Sequence, residues 1–326
     1  MTCDSMRRRT ASALALASVA PSLWAQRKNP LRVIVGVPPG STTDVVTRIV
    51  ADALGSILDQ PVVVENRPGG MGTIASTAFL AAPRDGQTWL FAVNGFFSEA
   101  PYSVKMRFDP LKDVKPLVEV GINGGLVLVG DADLPPKTLK ELVEWVKARK
   151  GKVSYASYSA GSLSHVLGLL LNRAEGLDML HVPYKGSPPA LQDIMAHQVQ
   201  FMFDAPATSL PLIRSGKLRA FAVTSAERIA QLPDVPTLAE LGYRGMTRTA
   251  WLAVWTTPDV PSEAQQHMRA ATLAALAQPG VRQRLAEVAI NVETRNPATP
   301  EELARRLQAD HAAIGETLRS IGYQPE

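Results

Sequence analysis

Ser, Thr and Gly gather at two places in this chain where a short apolar run gives way to an amphipathic one. Pro39, Gly40, Ser41, Thr42, Thr43 and Asp44 follow the run Leu31 to Val37; Ser157, Tyr158, Ser159, Ala160, Gly161 and Ser162 follow Val153 to Ala156. A helix starting at such a loop leaves backbone N–H groups without intrahelical partners and carries roughly half a positive charge there, so crowded hydroxyls make a site for an anion. Two such loops far apart in the chain suggest one ligand gripped from both sides. Ser41, Thr42 and Ser162 are also good N-cap types, so capping and ligand binding compete for the same oxygens. Asp44 suits a first helical turn by its charge alone.

Other reactive chemistry is sparse. The histidines are His165, His181, His197, His267 and His311, and the chain has no HExxH, no GxSxG and no carboxylate cluster with metal-ligand spacing. A triad of Ser162, His165 and Asp204 stays open, because triads are defined by geometry. Its nucleophile would have to double as a helix cap, which argues against an enzyme. The glycine-rich run Asn66 to Gly72 lacks the spacing of a dinucleotide fingerprint or a phosphate loop and reads as a structural turn. No metal and no cofactor are expected.

These loops need elements to hold them. Leu31 to Val37, Pro61 to Glu65 and Thr88 to Val93 read as strands, and Asp44 to Leu58 as a helix with Val45, Ile49, Ala53 and Ile57 on one stripe. A βαβα opening implies a parallel sheet covered by helices. A second set begins with a strand at Leu126 to Val129, a helix at Thr138 to Arg149, a strand at Val153 to Ala156 and a helix at Ser162 to Asn172. It continues through strands at Met179 to Pro183, Val199 to Phe203 and Leu218 to Thr224, with a helix near Pro188 to Ala196. Helices return at Ser262 to Leu276, Val281 to Ala289 and Pro300 to Ile321. Trp251 and Trp255 alternate along a strand with Leu252 and Val254, a packing pattern. The length exceeds one ordinary core and predicts two domains. No low-complexity linker intervenes, so the chain should cross between them through ordered strands, near Val129 and Thr224.

Arg7, Arg8 and Arg9 precede an apolar stretch from Ala11 to Trp24 and then Ala25 and Gln26. This is the order of a secretory signal peptide over residues 1–26, too short to span a bilayer. The paired arginines permit Sec or twin-arginine export to the periplasm. Cys3 is the only cysteine and lies in this leader, so the mature chain would carry no thiol, which excludes disulfides and thiolate sites. Removing the leader lowers the net charge from +4 to +2. With no dense Lys/Arg block, a nucleic-acid partner is not expected.

Three blocks carry a resemblance. They are His181 to Asp193, with Tyr184, Lys185 and Gly186; Gly216 to Ser225, with Arg219 and Thr224; and Leu232 to Thr237, followed by Glu240 and Gly242. With the earlier Val64 to Gly70, they fall in order over most of the mature chain. The chain thereby resembles the extracytoplasmic solute receptors of the tripartite tricarboxylate transporter class, the Bug or TctC family. That resemblance implies a type II periplasmic-binding-protein fold, two α/β lobes with a ligand cleft between them: lobe 1 from residues 27–130 plus 226–326, lobe 2 from 131–225. It implies a monomeric receptor, not an enzyme, that captures a small organic carboxylate and delivers it to a membrane permease of that class. A periplasmic sensor that signals to a membrane receptor would use the same closure.

Carried over by position, the first loop supplies Pro39, Gly40, Ser41, Thr42, Thr43 and Asp44 to the ligand. The second supplies Ser157, Tyr158, Ser159, Ala160, Gly161 and Ser162, with His165 one turn into the helix and Asn94 and Asp204 as further cleft residues. Departures are also visible. Ser41 or Thr42 stands where the family has a second glycine, Thr47 replaces a small residue, and Tyr158 is bulkier than usual. Mono-, di- and tricarboxylates, amino acids and aromatic acids all fall within the implied range. The absence of Arg and Lys from both loops favours one or two carboxylates over citrate.

Overall fold

The structure, a computed structural model, describes residues 29–324; the expected leader and the last two residues lie outside them. The chain begins β1 (Leu31–Val35), α1 (Thr42–Leu58), β2 (Val62–Asn66), α2 (Thr73–Leu80), β3 (Thr88–Val93), the single-turn α3 (Gly95–Ser98) and β4 (Lys115–Asn123). There follow β5 (Val127–Asp131), α4 (Leu139–Lys147), β6 (Ser154–Ser157), α5 (Leu163–Glu175), β7 (Leu180–Pro183), α6 (Ser187–Met195), β8 (Phe201–Asp204), α7 (Pro206–Arg214) and β9 (Leu218–Val223). It closes with β10 (Trp251–Thr256), α8 (Ser262–Ala277), α9 (Pro279–Glu287), β11 (Ile290–Asn291) and α10 (Pro300–Ser320).

Two sheets result, with strand orders β11-β4-β10-β3-β1-β2 and β7-β6-β8-β5-β9. In the first, β1 pairs in parallel with β2 and β3, as the βαβα opening predicts. β10 then inserts antiparallel between β3 and β4, because it returns from the second sheet and needs no crossover helix.

Both faces of the first sheet are covered, so its strands are apolar on both sides. Val33, Val35, Leu252 and Val254 face α1 and α8, whereas Ile34, Trp251, Ala253 and Trp255 pack with Phe79 of α2 and Leu303 and Leu307 of α10. The period of two is that of strand side chains. Trp251 and Trp255 stack at 5.4 Å between centroids, and Trp255 is fully buried. The second sheet divides likewise, Leu128, Tyr155 and Phe203 on one face and Val127, Val129 and Ala156 on the other.

The passages between sheets differ from the expected boundaries. The first falls at residues 124–126, a few residues before Val129, since β5 pairs with β8 and β9 in the second sheet. The return is long: Ile229, Leu232, Leu238 and Met246 all pack into the second sheet's cores, so residues 226–246 join that half. The apolar run Leu126 to Val129 is uniform in character, and pattern alone did not mark where pairing changes partner. Side chains bolt the two passages together. Asn123 accepts from the N–H groups of Gly125 and Ala250, and the Thr224 hydroxyl accepts from Leu126 N–H and donates to the Arg248 carbonyl. Gly125 has φ +85° and lies where a Cβ would press on the Ser225 backbone, which requires glycine.

Candidate functional site

A cavity of about 160 Å³ opens where the two sheets face each other. A cavity of roughly 150 Å³ holds a benzene-sized molecule, so this one suits a small organic ligand. Both hydroxyl-rich loops reach it. Ser41, Thr42 and Thr43 line it from the first, and Tyr158, Ser159 and Ser162 from the second.

The first loop is shaped by Asp44. Its buried carboxylate accepts from Gly40 N–H at 2.9 Å, from Arg48 at 3.0 Å and from Asn66 at 2.8 Å. Burial alone would raise its pKa; the hydrogen bonds from Arg48, Gly40 and Asn66 outweigh that and hold the carboxyl below its usual range. Asp44 therefore has no free acceptor role toward a ligand, and with Pro39 and Gly40 it lies outside the cavity lining, contrary to expectation. What the loop offers is Ser41, 4% exposed, with its Oγ unpartnered among the described residues, and Thr42, whose Oγ1 is likewise unpartnered. Ser41 is the N-cap residue of α1, yet its side chain makes no capping bond. The expected competition between capping and binding is absent at this residue.

The second loop is braced from behind. The Ser157 hydroxyl donates to the Ser159 carbonyl and lies 2.7 Å from His181 Nε2. Gly161 N–H donates to His165 Nδ1 at 2.9 Å, and the two imidazoles stack at 3.6 Å between centroids. Burial pushes His165 down to about 3, with the neighbouring His181 adding to it, and burial pushes His181 down to about 4. The pair is neutral packing. Ser162 Oγ donates to the Ser159 carbonyl and does not cap α5. Gly161, at φ +75°, lies where any Cβ would overlap the Ser103 side chain of the other half.

Ser157, Ala160, Gly161, His165, Asn94 and Asp204 thus stand behind the lining or beside it. Asn94 is buried, donating to Asp310 and accepting from Trp251 N–H. Asp204 accepts from the Thr208 hydroxyl at 2.6 Å and sits beside Tyr158 and Ser187; burial pushes it up to about 6, against the hydrogen bonds it receives. Ser162, His165 and Asp204 make no triad, since each is hydrogen-bonded elsewhere.

Other lining residues escaped the sequence reading. Gly69, Gly70 and Gly72 form part of the wall, with Phe96 packed where Cβ atoms on Gly36 or Gly72 would fall. Tyr184 and Lys185, which the sequence already offered as cleft residues, line it as well, with Gly186 beside them. Gly186 has φ +135°, and a Cβ there would stand 2.9 Å from Pro38 and 3.3 Å from Ser41 Oγ, so the halves meet at this point. Glu99 is the sole carboxylate in the lining and Lys185 the sole cation, among the described residues. Glu99 Oε2 accepts from Leu163 N–H, the first of α5, at 2.8 Å.

Comparisons with known proteins find a family and solved structures to which the chain is similar. A family model described as the tripartite tricarboxylate transporter family receptor matches residues 46–322. The UPF0065 protein in the tcbD-tcbE intergenic region of Pseudomonas sp. strain P51 is 33% identical over 304 residues, covering 91% of this chain and 89% of that protein. The solved structure of the periplasmic binding protein BugD is 33% identical, with a TM-score of 0.86 over 91% of this chain and 99% of that one. MatC from Rhodopseudomonas palustris, solved with bound malate, is 30% identical, with a TM-score of 0.83 over 89% of this chain and 98% of that one.

Proposed function

The chain belongs to the tripartite tricarboxylate transporter receptor family, a family of periplasmic solute-binding proteins, and from that premise we propose that it traps a small carboxylate in the cavity between its halves. The ligand carboxylate sits on the N-terminus of α1, hydrogen-bonded by Ser41, Thr42 and first-turn N–H groups, with Ser159 and Ser162 facing it from the second loop. The single observation that carries this reading is the pair of buried, unpartnered hydroxyls, Ser41 Oγ and Thr42 Oγ1, at the uncapped start of a 17-residue helix that opens into the cavity. Leaving such groups unpaired costs stability, and a bound anion would satisfy them together with the helix dipole. MatC, with malate bound, supports an organic acid as the class of ligand. The role that follows is capture in the periplasm, after removal of residues 1–26, and delivery to a membrane permease of the tripartite class.

A thermal-shift screen of the purified protein against small organic acids tests this directly, because a ligand at about 100 times its Kd adds roughly 2.7 kcal/mol. The sharper variant is Ser41→Asp. Asp is a good N-cap, and Ser41 already has the extended backbone of one, φ −72° and ψ 160°, so the fold is kept while a like charge enters the site. The expected result is an unchanged or raised melting temperature with the acid-induced shift abolished. An undiminished shift places the ligand elsewhere.

A further inference from the structure

The N-terminus of α5 is already occupied by an anion that belongs to the protein. Glu99 Oε2 takes the N–H of Leu163 at 2.8 Å, the donor an incoming carboxylate would use, while Oε1 has no hydrogen-bond donor among the described residues. The side chain folds back over Gly95, where a Cβ would stand 2.8 to 2.9 Å from its carboxyl atoms, so glycine makes room for this conformation. No Lys or Arg pairs with Glu99 among the described residues. The charged group facing it is Asp310 of α10, itself held by Asn94 and by Trp251 Nε1. Tyr102 donates to the His311 carbonyl, His311 Nδ1 lies 3.2 Å from the Ser98 carbonyl, and His165 Nδ1 on α5 accepts from Gly161 N–H. Lys185, by contrast, adjoins Gly186, which touches the Ser41 loop. The cavity therefore has a positive station at α1 and Lys185 and a negative one at Glu99.

We propose that Glu99 is a specificity-determining residue that makes the cavity select acids carrying an ammonium or other hydrogen-bond donor beyond the carboxylate, and reject dicarboxylates of the same length. The proposal rests on the carboxylate-receptor reading given above. One carboxylate binds at Ser41 and Thr42; the donor end meets Oε1 of Glu99. A second ligand carboxylate would meet a like charge at close range in a cleft walled by protein, where such repulsion exceeds that in bulk water. Burial pushes Glu99 up to about 7, eased by the Leu163 N–H and augmented by Asp310. Discrimination therefore grows as the pH rises through neutrality.

The test is calorimetric titration with chain-matched pairs: malonate and β-alanine, succinate and 4-aminobutanoate, glutarate and 5-aminopentanoate. The protein is compared with its Glu99→Gln variant, whose amide oxygen still accepts from Leu163 N–H. At about pH 8 the amino acid of the best-bound pair should bind the parent roughly tenfold or more tightly than its diacid, the equivalent of one pKa unit or more. Glu99→Gln should shrink that ratio about tenfold or invert it, and remove its pH dependence. A parent that binds diacid and amino acid alike, or a variant that leaves the ratio unchanged, overturns the proposal. If diacids bind tightly and Ser41→Asp abolishes that binding, the receptor reading survives while the role of Glu99 fails. If neither series binds parent or variant, the receptor reading falls and this proposal with it.

Discussion

Asp44 and Glu99 are carboxylates that each hold a backbone N–H beside a helix start, and opposite surroundings give them opposite tasks. Asp44 is neutralised by Arg48 and shares Asn66, so it stays ionised and fixes the loop that presents Ser41. Asp44→Ala should cost about 1 to 3 kcal/mol by urea unfolding, since Gly40 N–H and Asn66 lose a buried acceptor. Its folded pKa lies below 3.8, so its contribution is complete above that value and vanishes as pH falls through the lower one. Glu99 has the reverse sign. With its pKa raised from 4.5 to about 7, the stability linked to it is complete below 4.5 and is lost as pH rises through about 7. Between about pH 5 and about pH 8, Glu99→Gln should therefore lose less stability than the parent in matched urea titrations. His165 and His181 slope the other way, their contribution being complete above 6.5 and lost as pH falls toward 4, which is why the variant is read against the parent. Ser41, Thr42, Tyr158 and Ser159 could be singled out in the sequence as hydroxyl residues in loops that lead into helices, and all four line the cavity. Glu99 was not, because its partner Leu163 lies 64 residues away and no local pattern joins them.

At the scale of elements, the helices divide by what their N-caps do. Thr138 caps α4 by accepting from Glu141 N–H, and Thr299 forms a full capping box with Glu302 on α10. Ser41 and Ser162, at the two helices that face the cavity, make no side-chain cap. Thr138→Ala and Thr299→Ala should each cost about 1 kcal/mol, and Ser41→Ala only a few tenths, since no cap is lost there. Differential unfolding of the three variants checks this, and a full capping cost at Ser41 would show that its hydroxyl serves the helix. Most elements were readable from periodicity, including the leading βαβα unit and the buried tryptophan strand. β4 was not, because Pro116 and the glutamate at Glu119 interrupt an alternation that only pairing with β10 reveals. α7 was hidden by Pro206 at its first turn and Pro211 within it, residues that read as loop until the neighbouring sheet supplies the packing.

For the whole molecule, the two halves touch at Gly186 against Pro38 and at Gly161 against Ser103, with the cavity enclosed between them. The connections at Asn123 to Leu126 and at residues 247–250 run side by side and are cross-bonded through Asn123 and Thr224, which suits rotation of one half against the other about a fixed axis. A ligand that bridges both loops binds this arrangement more tightly than an open one and shifts the population toward it. Small-angle scattering of ligand-free protein should give a larger radius of gyration than this structure, and saturation with a bound acid should reduce it. Two lobes were legible as two runs of alternating strand and helix, whereas their boundaries depended on which sheet captured β5 and residues 226–246. The most direct test of the account is a crystal structure with the acid that gives the largest thermal shift. The account predicts a ligand carboxylate oxygen within hydrogen-bond distance of Ser41 Oγ and of a first-turn N–H of α1, enclosed by both halves. A ligand found bound outside this cavity, or inside it with its carboxylate away from Ser41 and Thr42, would contradict it.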